Sequence, residues 1–116
     1  MTEKRIIATP RQLPGALAGI LRAKYEVREP ADSVAAPGEF AGYAQGAEAV
    51  FATAFDDMDD AFIADLPESV KFIASIGVGV DHIDLEAAKA RSLMVSNTPE
   101  VTTACLADTT MGLIIA

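Results

Sequence analysis

The sequence predicts an α/β domain in which five parallel strands form a doubly wound sheet with the order 2-1-3-4-5. Five short apolar runs alternate with five segments of helical character, which favours a parallel sheet covered by helices. The fourth run leads into Gly77-Val-Gly79 and then a helix, the strand–loop–helix unit of such sheets. The length of 116 residues is enough for one domain with a core and short for two.

The strands are predicted from runs of apolar and β-branched residues bounded by turn residues. Pro10 ends the first run, and the glycines from Gly77 onward end the fourth. Between the second and third strands, Pro30, Pro37 and Gly38 indicate a loop at residues 29–38. In chain order the strands are expected at residues 5–9, 25–28, 49–53, 71–76 and 93–95.

The helices are predicted from apolar spacing and from their starting residues. Pro14 stands near the start of the first, where apolar side chains recur at helical spacing. Asp84 is a candidate N-cap for the fourth, which is made of good helix formers. In chain order the helices are expected at residues 13–24, 39–45, 60–65, 85–91 and about 102–116. With this order of elements the sheet is flavodoxin-like.

The composition narrows the function classes. The net charge is −8, and residues 31–116 hold fourteen acidic against three basic residues. A surface this acidic binds nucleic acid poorly, because contacts to the phosphates require clustered Lys and Arg. There is neither a signal peptide nor a membrane-spanning run, so no membrane partner is expected. A single cysteine excludes an internal disulfide framework and fits a reducing cytoplasm.

The loop after the fourth strand is the expected functional surface, because ligands bind at the carboxyl ends of parallel strands. Gly77-Val-Gly79 begins like a dinucleotide fingerprint, but His82 stands where the third glycine should be. The loop is therefore either a ligand-holding backbone or a plain turn. Asp81, His82 and Asp84 are interpreted as turn, loop-bonding and cap residues rather than as catalytic groups.

Four aspartates at residues 56–60 have the composition of a cation site, but their spacing fits no calcium loop. Acidic residues are favoured at the start of a helix, so a solvated helix entry is the expected role and no metal is expected.

The final helix is apolar nearly all round, with Asp108, Thr109 and Thr110 as its polar residues between residues 104 and 116. Such a helix is normally buried on all sides. It is either a C-terminus packed in the core or, as we favour, part of a fragment whose partner surface is missing. We expect the helix to be docked against another surface and Cys105 to be a buried small residue rather than a nucleophile.

These residues resemble a known family. Gly77-Val-Gly-Val-Asp-His-Ile-Asp84, Ala87-Ala88, Val95-Ser-Asn-Thr-Pro-Glu-Val101 and Ala107-Asp108 are similar, in register, to the NAD(P)-dependent D-2-hydroxyacid dehydrogenases, nearest to the glyoxylate/hydroxypyruvate reductases. The specific match covers residues 75–116, whereas residues 1–74 agree only in their strand–helix pattern.

The resemblance implies a fragment of a larger oxidoreductase. Residues 1–100 would be the first part of the substrate (catalytic) domain and residues 101–116 the start of the helix crossing to a nucleotide-binding domain that this sequence lacks. The parent would be a homodimer that transfers a hydride between NADP or NAD and a small anionic 2-oxo acid such as glyoxylate or hydroxypyruvate.

The resemblance also assigns the site residues. The backbone of Val78 and Gly79 would hold the substrate carboxylate, and Thr102 and Thr103 would face the cofactor. The family's catalytic Arg, Glu and His lie outside this sequence, so no catalytic residue is expected here. The fragment alone is expected to be inactive and to bind no dinucleotide tightly.

Two rival functions stay open on the sequence alone. The first is a stand-alone flavodoxin-like signalling module, such as a phospho-acceptor receiver with Asp56 or Asp57 as the acceptor. Such a module needs an acidic pair after the first strand, where this chain has Ala8-Thr-Pro10, and a Lys after the fifth, where it has Ser96-Asn97. The second rival, a small flavin-binding domain, has no distinctive loop to support it.

Overall fold

The computed structural model describes residues 4–36, 38–100 and 103–116. Within these residues, five strands and five helices alternate, as predicted. In order they are β1 Ile6–Ala8, α1 Gly15–Arg22, β2 Glu26–Arg28, α2 Glu39–Tyr43, β3 Ala49–Thr53, α3 Asp60–Ala64, β4 Phe72–Ile76, α4 Leu85–Ala90, β5 Met94–Ser96 and α5 Thr103–Ile115. Most elements are shorter by one to three residues at their ends than the sequence patterns predict.

The sheet has the order β2-β1-β3-β4-β5, and all four neighbouring pairs are parallel. The predicted flavodoxin-like order is therefore confirmed. The longest pairing joins β3 to β4, from Ala49 opposite Phe72 to Thr53 opposite Ile76. Because every strand runs the same way, the loops that follow the strands all lie at one edge of the sheet, the carboxyl edge.

The main core lies on one face of the sheet. Val50, Ala52 and Ile73 point to this face and are fully buried, because alternate side chains of a strand share a face. They pack with buried side chains of the helices and loops that cover this face, namely Phe40, Met58, Ile63, Ile83 and Ala88. On the other face, α1 packs against β2 and buries Ala18.

Two aspartates cap the helices that border the carboxyl edge. The side chain of Asp59 accepts a hydrogen bond from the Phe62 N–H at the start of α3, and that of Asp84 accepts one from the Ala87 N–H at the start of α4. Arg91, just past α4, donates to the carbonyl oxygen of Leu66 at 2.9 Å and to that of Ile63. These contacts join α4 to the end of α3. Within the described ranges, none of the helices combines the length and apolarity needed to cross a bilayer.

Candidate functional site

The loop after β4 has a backbone shape that requires glycine. Gly77 has φ of 127°, a conformation that residues with a Cβ rarely adopt. Its N–H donates to Thr98 Oγ1 at 2.8 Å, and its carbonyl accepts the Thr98 N–H at 2.9 Å. The Asn97 side-chain amide donates to the Val78 carbonyl at 2.8 Å. The segment after β5 thus holds the first half of the glycine loop.

The second half of the loop is held from the other side, by the segment between β3 and α3. The His82 carbonyl accepts the Met58 N–H at 2.8 Å, and the Met58 carbonyl accepts the Asp84 N–H at 2.9 Å. The half-buried His82 ring lies with Nε2 2.9 Å from the hydroxyl of buried Ser75. These bonds agree with the structural role expected for His82 and Asp84.

Between these two anchored ends lies a run of amide groups that have no hydrogen-bond partner among the described residues. In the part of the chain that the structure describes, none of the N–H groups of residues 78–82 donates a hydrogen bond to the protein. Val78 is 42% exposed, and Gly79 is exposed as well. Successive free N–H groups in a turn can bind an anion. The predicted ligand-holding backbone at Val78 and Gly79 is thus available to a ligand.

One acidic side chain lies against these donors. A Cβ added to Gly79 would stand 2.8 Å from Oδ1 of Asp81, so this carboxylate is directly over the glycine. Asp81 is exposed, and its side chain can rotate into solvent. Its negative charge beside the loop opposes the approach of an anion.

An arginine that sequence reasoning missed lies at the same edge. Arg11, after β1, donates from Nε to Asp56 Oδ1 at 2.6 Å and from Nη2 to the Phe55 carbonyl at 3.1 Å. Its guanidinium carbon also lies 5.8 Å from the centroid of the Phe55 ring. The sequence offered no signal for this pairing, because Arg11 and Asp56 are 45 residues apart.

The expectation of a solvated helix entry at residues 56–60 is wrong for Asp56. This side chain is only 6% exposed. Oδ2 accepts the Thr53 N–H at 2.7 Å and the Thr53 hydroxyl at 3.0 Å, while Oδ1 faces Arg11. Asp56 therefore closes the turn after β3 as a buried ion pair, whereas Asp59 and Asp60 begin α3 as expected. The described residues contain no cluster of three or more metal-ligating side chains.

The turn that Asp56 closes presents a large aromatic side chain. Phe55 is 84% exposed, at the tip of the turn after β3. The two loops touch, since a Cβ on Gly77 would stand 4.0 Å from that of Ala54. The carboxyl edge thus presents an exposed aromatic side chain on the loop that neighbours the glycine loop.

Tyr43, the last residue of α2, supports the carboxyl edge of the sheet. Its hydroxyl donates to the Thr9 carbonyl at 2.6 Å, at the end of β1. Burial, with smaller contributions from Glu39 and Asp56, raises the pKa of Tyr43 well above its usual range. The phenol thus stays protonated and acts as a structural donor rather than as an acid–base catalyst.

The structure describes only one of the two candidate cofactor residues. Thr102 lies outside the described residues, and Thr103 is the first residue of α5, without a described side chain. Cys105 is exposed, so the expectation of a buried small residue is wrong. The side chains of residues 104–116 are all exposed, because α5 leaves the sheet instead of packing on it.

A family profile identifies the family to which the chain belongs. The profile described as D-isomer specific 2-hydroxyacid dehydrogenase, catalytic domain, matches residues 16–111. The chain belongs to this family. That membership favours the dehydrogenase over the receiver-type and flavin-binding alternatives, and it agrees with the motifs at residues 75–108.

Individual relatives agree with the profile. A glycerate dehydrogenase of Hyphomicrobium methylovorum is 32% identical over 116 residues, which is 99% of this chain and 36% of the relative. The TT0316 protein of Thermus thermophilus has a TM-score of 0.77 at 34% identity, covering 96% of this chain and 36% of that one. An NAD⁺-bound 3-phosphoglycerate dehydrogenase of Entamoeba histolytica has a TM-score of 0.74 at 26% identity, with 98% and 39% covered. The chain thus spans between a third and two fifths of the length of these relatives.

A nicotinamide dinucleotide is the cofactor that these dehydrogenases imply. The described residues do not form a pocket for its pyrophosphate, because His82 replaces the third glycine of the fingerprint and its ring is bonded to Ser75. Any contact of this chain with the cofactor would have to come from elsewhere, such as the start of α5.

Proposed function

We propose that this chain is the carboxylate-binding part of an NAD(P)-dependent D-2-hydroxyacid dehydrogenase. The observation that carries the proposal is the run of free amide groups at Val78 and Gly79, in the loop that matches the family motif. The substrate carboxylate accepts hydrogen bonds from these two N–H groups, in the way that backbone amides bind anions elsewhere. Holding the carboxylate fixes where the neighbouring C2 atom lies.

The substrate proposed is a small 2-oxo acid of the glyoxylate or hydroxypyruvate type. Glycerate, named in one relative, is the 2-hydroxy acid that reduction of hydroxypyruvate produces. The choice between NAD and NADP depends on residues outside this chain.

The charged residues of this chain indicate which tasks it would perform and which the rest of the enzyme would perform. At the carboxyl edge, Arg11 is engaged with protein oxygens, whereas Lys71 and Arg91 precede β4 and β5 at the opposite edge of the sheet. Residues 31–116 carry a net charge of −11, which repels anions. In this proposal the positive charge, the proton donor and the nicotinamide therefore come from the rest of the enzyme, while this chain binds and orients the carboxylate. Thr102 and Thr103 are the proposed contacts to the cofactor, and Thr103 is the first residue of α5.

The test is an NMR titration of the 116-residue chain with glyoxylate. Two charge-assisted hydrogen bonds of roughly 1.5–3 kcal/mol each, together about 3–6 kcal/mol, correspond to a dissociation constant between about 40 μM and about 6 mM. The amide signals of Val78 and Gly79 should shift together and saturate. Glycolaldehyde, which has the same carbon chain without the carboxylate, should leave them unmoved.

Gly79→Val provides the matched protein control, because its side chain fills the space of the carboxylate. The variant should lose the glyoxylate-dependent shifts while the signals of the sheet stay in place. In a full-length enzyme the same change should raise the Michaelis constant for the 2-oxo acid at least about tenfold, the loss of one such bond. Equal shifts in the variant would mean that the carboxylate is held elsewhere.

A further inference from the structure

The two ends of the glycine loop are joined by an imidazole ring. Ser75, near the end of β4, is 3% exposed, and its hydroxyl oxygen lies 2.9 Å from Nε2 of His82. The Ile83 N–H donates to the Val80 carbonyl at 3.0 Å, which closes a turn and brings His82 back beside Val80. Residues 76–81 therefore form a closed loop, and the ring lies where this loop begins and ends.

The ring can keep this place in both of its charge states. The nitrogen of a neutral imidazole can accept a hydrogen bond from the Ser75 hydroxyl, and an imidazolium can donate one to the same oxygen. The backbone bonds that anchor the end of the loop do not involve the ring, since they join the His82 carbonyl to the Met58 N–H and the Met58 carbonyl to the Asp84 N–H. Protonation of His82 therefore adds a positive charge to the loop without releasing it.

His82 is the only histidine of the sequence and the only side chain of residues 77–84 that can become a cation. Among the described residues of the carboxyl edge, Arg11 is bonded to the Asp56 carboxylate and the Phe55 carbonyl. Lys89 lies in the last turn of α4, and β4 has no charged side chain. The other charged side chains of the segments around the ring are carboxylates: Asp81 and Asp84 in its own loop, Asp56, Asp57 and Asp59 after β3, Glu86 at the start of α4, and Glu100 after β5. A protonated ring thus gives this acidic loop a positive charge that can attract an anion.

Chain geometry keeps this charge close to the free amide groups. Only Val80 and Asp81 separate His82 from Gly79, and the turn at residues 80–83 shortens the path. The ring therefore lies on the order of 10 Å from the amides of Val78 and Gly79. Even at the dielectric constant of water, unit charges at this distance attract enough to change an affinity about twofold, provided that the ionic strength is low.

We propose that His82 makes the carboxylate site sensitive to pH, so that the loop binds a 2-oxo acid more tightly as pH falls through the range in which histidine titrates. The inference rests on the proposed function, because it requires the carboxylate to bind at Val78 and Gly79. The acid itself stays an anion over this range, since carboxyl groups of this kind ordinarily titrate below about pH 4. The charge of His82 is additional to the fixed positive charge that the rest of the enzyme would provide.

The test repeats the glyoxylate titration of the 116-residue chain at low ionic strength, at about pH 5.5 and about pH 7.5. The dissociation constant obtained from the Val78 and Gly79 amide signals should be at least about twofold lower at the lower pH. His82→Gln is the matched control, because its amide can still form a hydrogen bond with Ser75 but cannot be protonated. Its dissociation constants at the two pH values should be equal. The amino group of Met1 also titrates in this range, and any pH dependence that it causes would remain in the variant.

A second measurement needs no variant. His82 is the only histidine, so its ring signals report its charge directly. Because linkage is reciprocal, saturating glyoxylate should raise the midpoint of the ring's titration by the logarithm of the same factor, at least about 0.3 pH unit. Glycolaldehyde should leave the midpoint unchanged, and added salt should reduce the effect of glyoxylate.

The outcomes separate this inference from the proposed function. Saturating shifts of Val78 and Gly79 with the same dissociation constant at both pH values would overturn the inference and leave the proposed function standing. A pH dependence that persists undiminished in His82→Gln, or a ring titration that glyoxylate does not move, would have the same meaning. If neither amide shows a saturating shift at either pH, the proposed function is wrong, and the inference that rests on it is wrong as well.

Discussion

The two glycines of the loop after β4 should respond differently to the same substitution. Gly77 has φ of 127°, while the space around it is free, with 4.0 Å between an added Cβ and that of Ala54. Gly79 has no such φ, but its added Cβ would meet Asp81 Oδ1 at 2.8 Å. Gly77→Ala therefore strains the backbone of the folded state, whereas Gly79→Ala only pushes aside an exposed side chain.

The magnitudes follow from these two causes. Holding a residue with a Cβ in a glycine conformation costs about 1–3 kcal/mol, which lowers Tm by roughly 5–15 °C in a domain of this size. Gly79→Ala should change the free energy of unfolding by less than about 0.5 kcal/mol. Urea unfolding followed by circular dichroism measures both. If Gly77→Ala were as stable as the unchanged chain, or if Gly79→Ala were the more damaging, the assignment of strain to Gly77 would be refuted.

Three further predictions concern side chains. Arg11→Met should lower the free energy of unfolding by about 2–3 kcal/mol, because it leaves a buried carboxylate without its cation; Arg5→Met, at an exposed pair 3.7 Å long, should change it by less than about 1 kcal/mol in the same urea experiment. Asp84→Ala should lower the free energy of unfolding by about 1 kcal/mol, because α4 loses its N-cap. Asp81→Ala, the control from the same loop, should lower it by less than about 0.5 kcal/mol. Burial raises the pKa of Tyr43 in the folded state, so stability should fall as pH rises above about 10, by at most about 1.4 kcal/mol per pH unit, as the unfolded chain loses its proton first. Tyr43→Phe should show a shallower decline, and identical pH profiles would contradict this.

Local signals explain which parts of the fold could be predicted from the sequence. Each strand and helix is set by residues within its own segment, so the alternation of strands and helices could be read from the sequence. This alternation predicted the parallel sheet and its strand order. Asp84 was predictable as a cap because an aspartate directly before a helix-forming run bonds to that run's own N–H groups. Gly77 was predictable as a turn residue for the same local reason.

Contacts between distant segments explain what the sequence could not provide. Asp56 lies in an acidic cluster, and composition alone favours solvent for such residues. Its burial depends on Arg11, which reaches it from another loop because β1 and β3 are neighbours in the sheet. Likewise, the bonds from Asn97 and Thr98 to the glycine loop arise because β4 and β5 pair. The surroundings of the candidate site are thus set by strand order, whereas the loop itself is set by local sequence.

The way in which the loop is anchored bears on how it could bind an anion without a cation of its own. Both ends of the free amide run are fixed, by Thr98 at Gly77 and by Met58 at His82 and Asp84. Donors that are already fixed lose little entropy when a carboxylate arrives, which raises affinity without added charge. At the same time, Asp81 and the net charge of −11 in residues 31–116 oppose any anion that does not fit these donors. On its own, this chain would bind a 2-oxo acid only weakly. Positive charge from the rest of an enzyme would strengthen that binding, so tight binding would occur only at the assembled site.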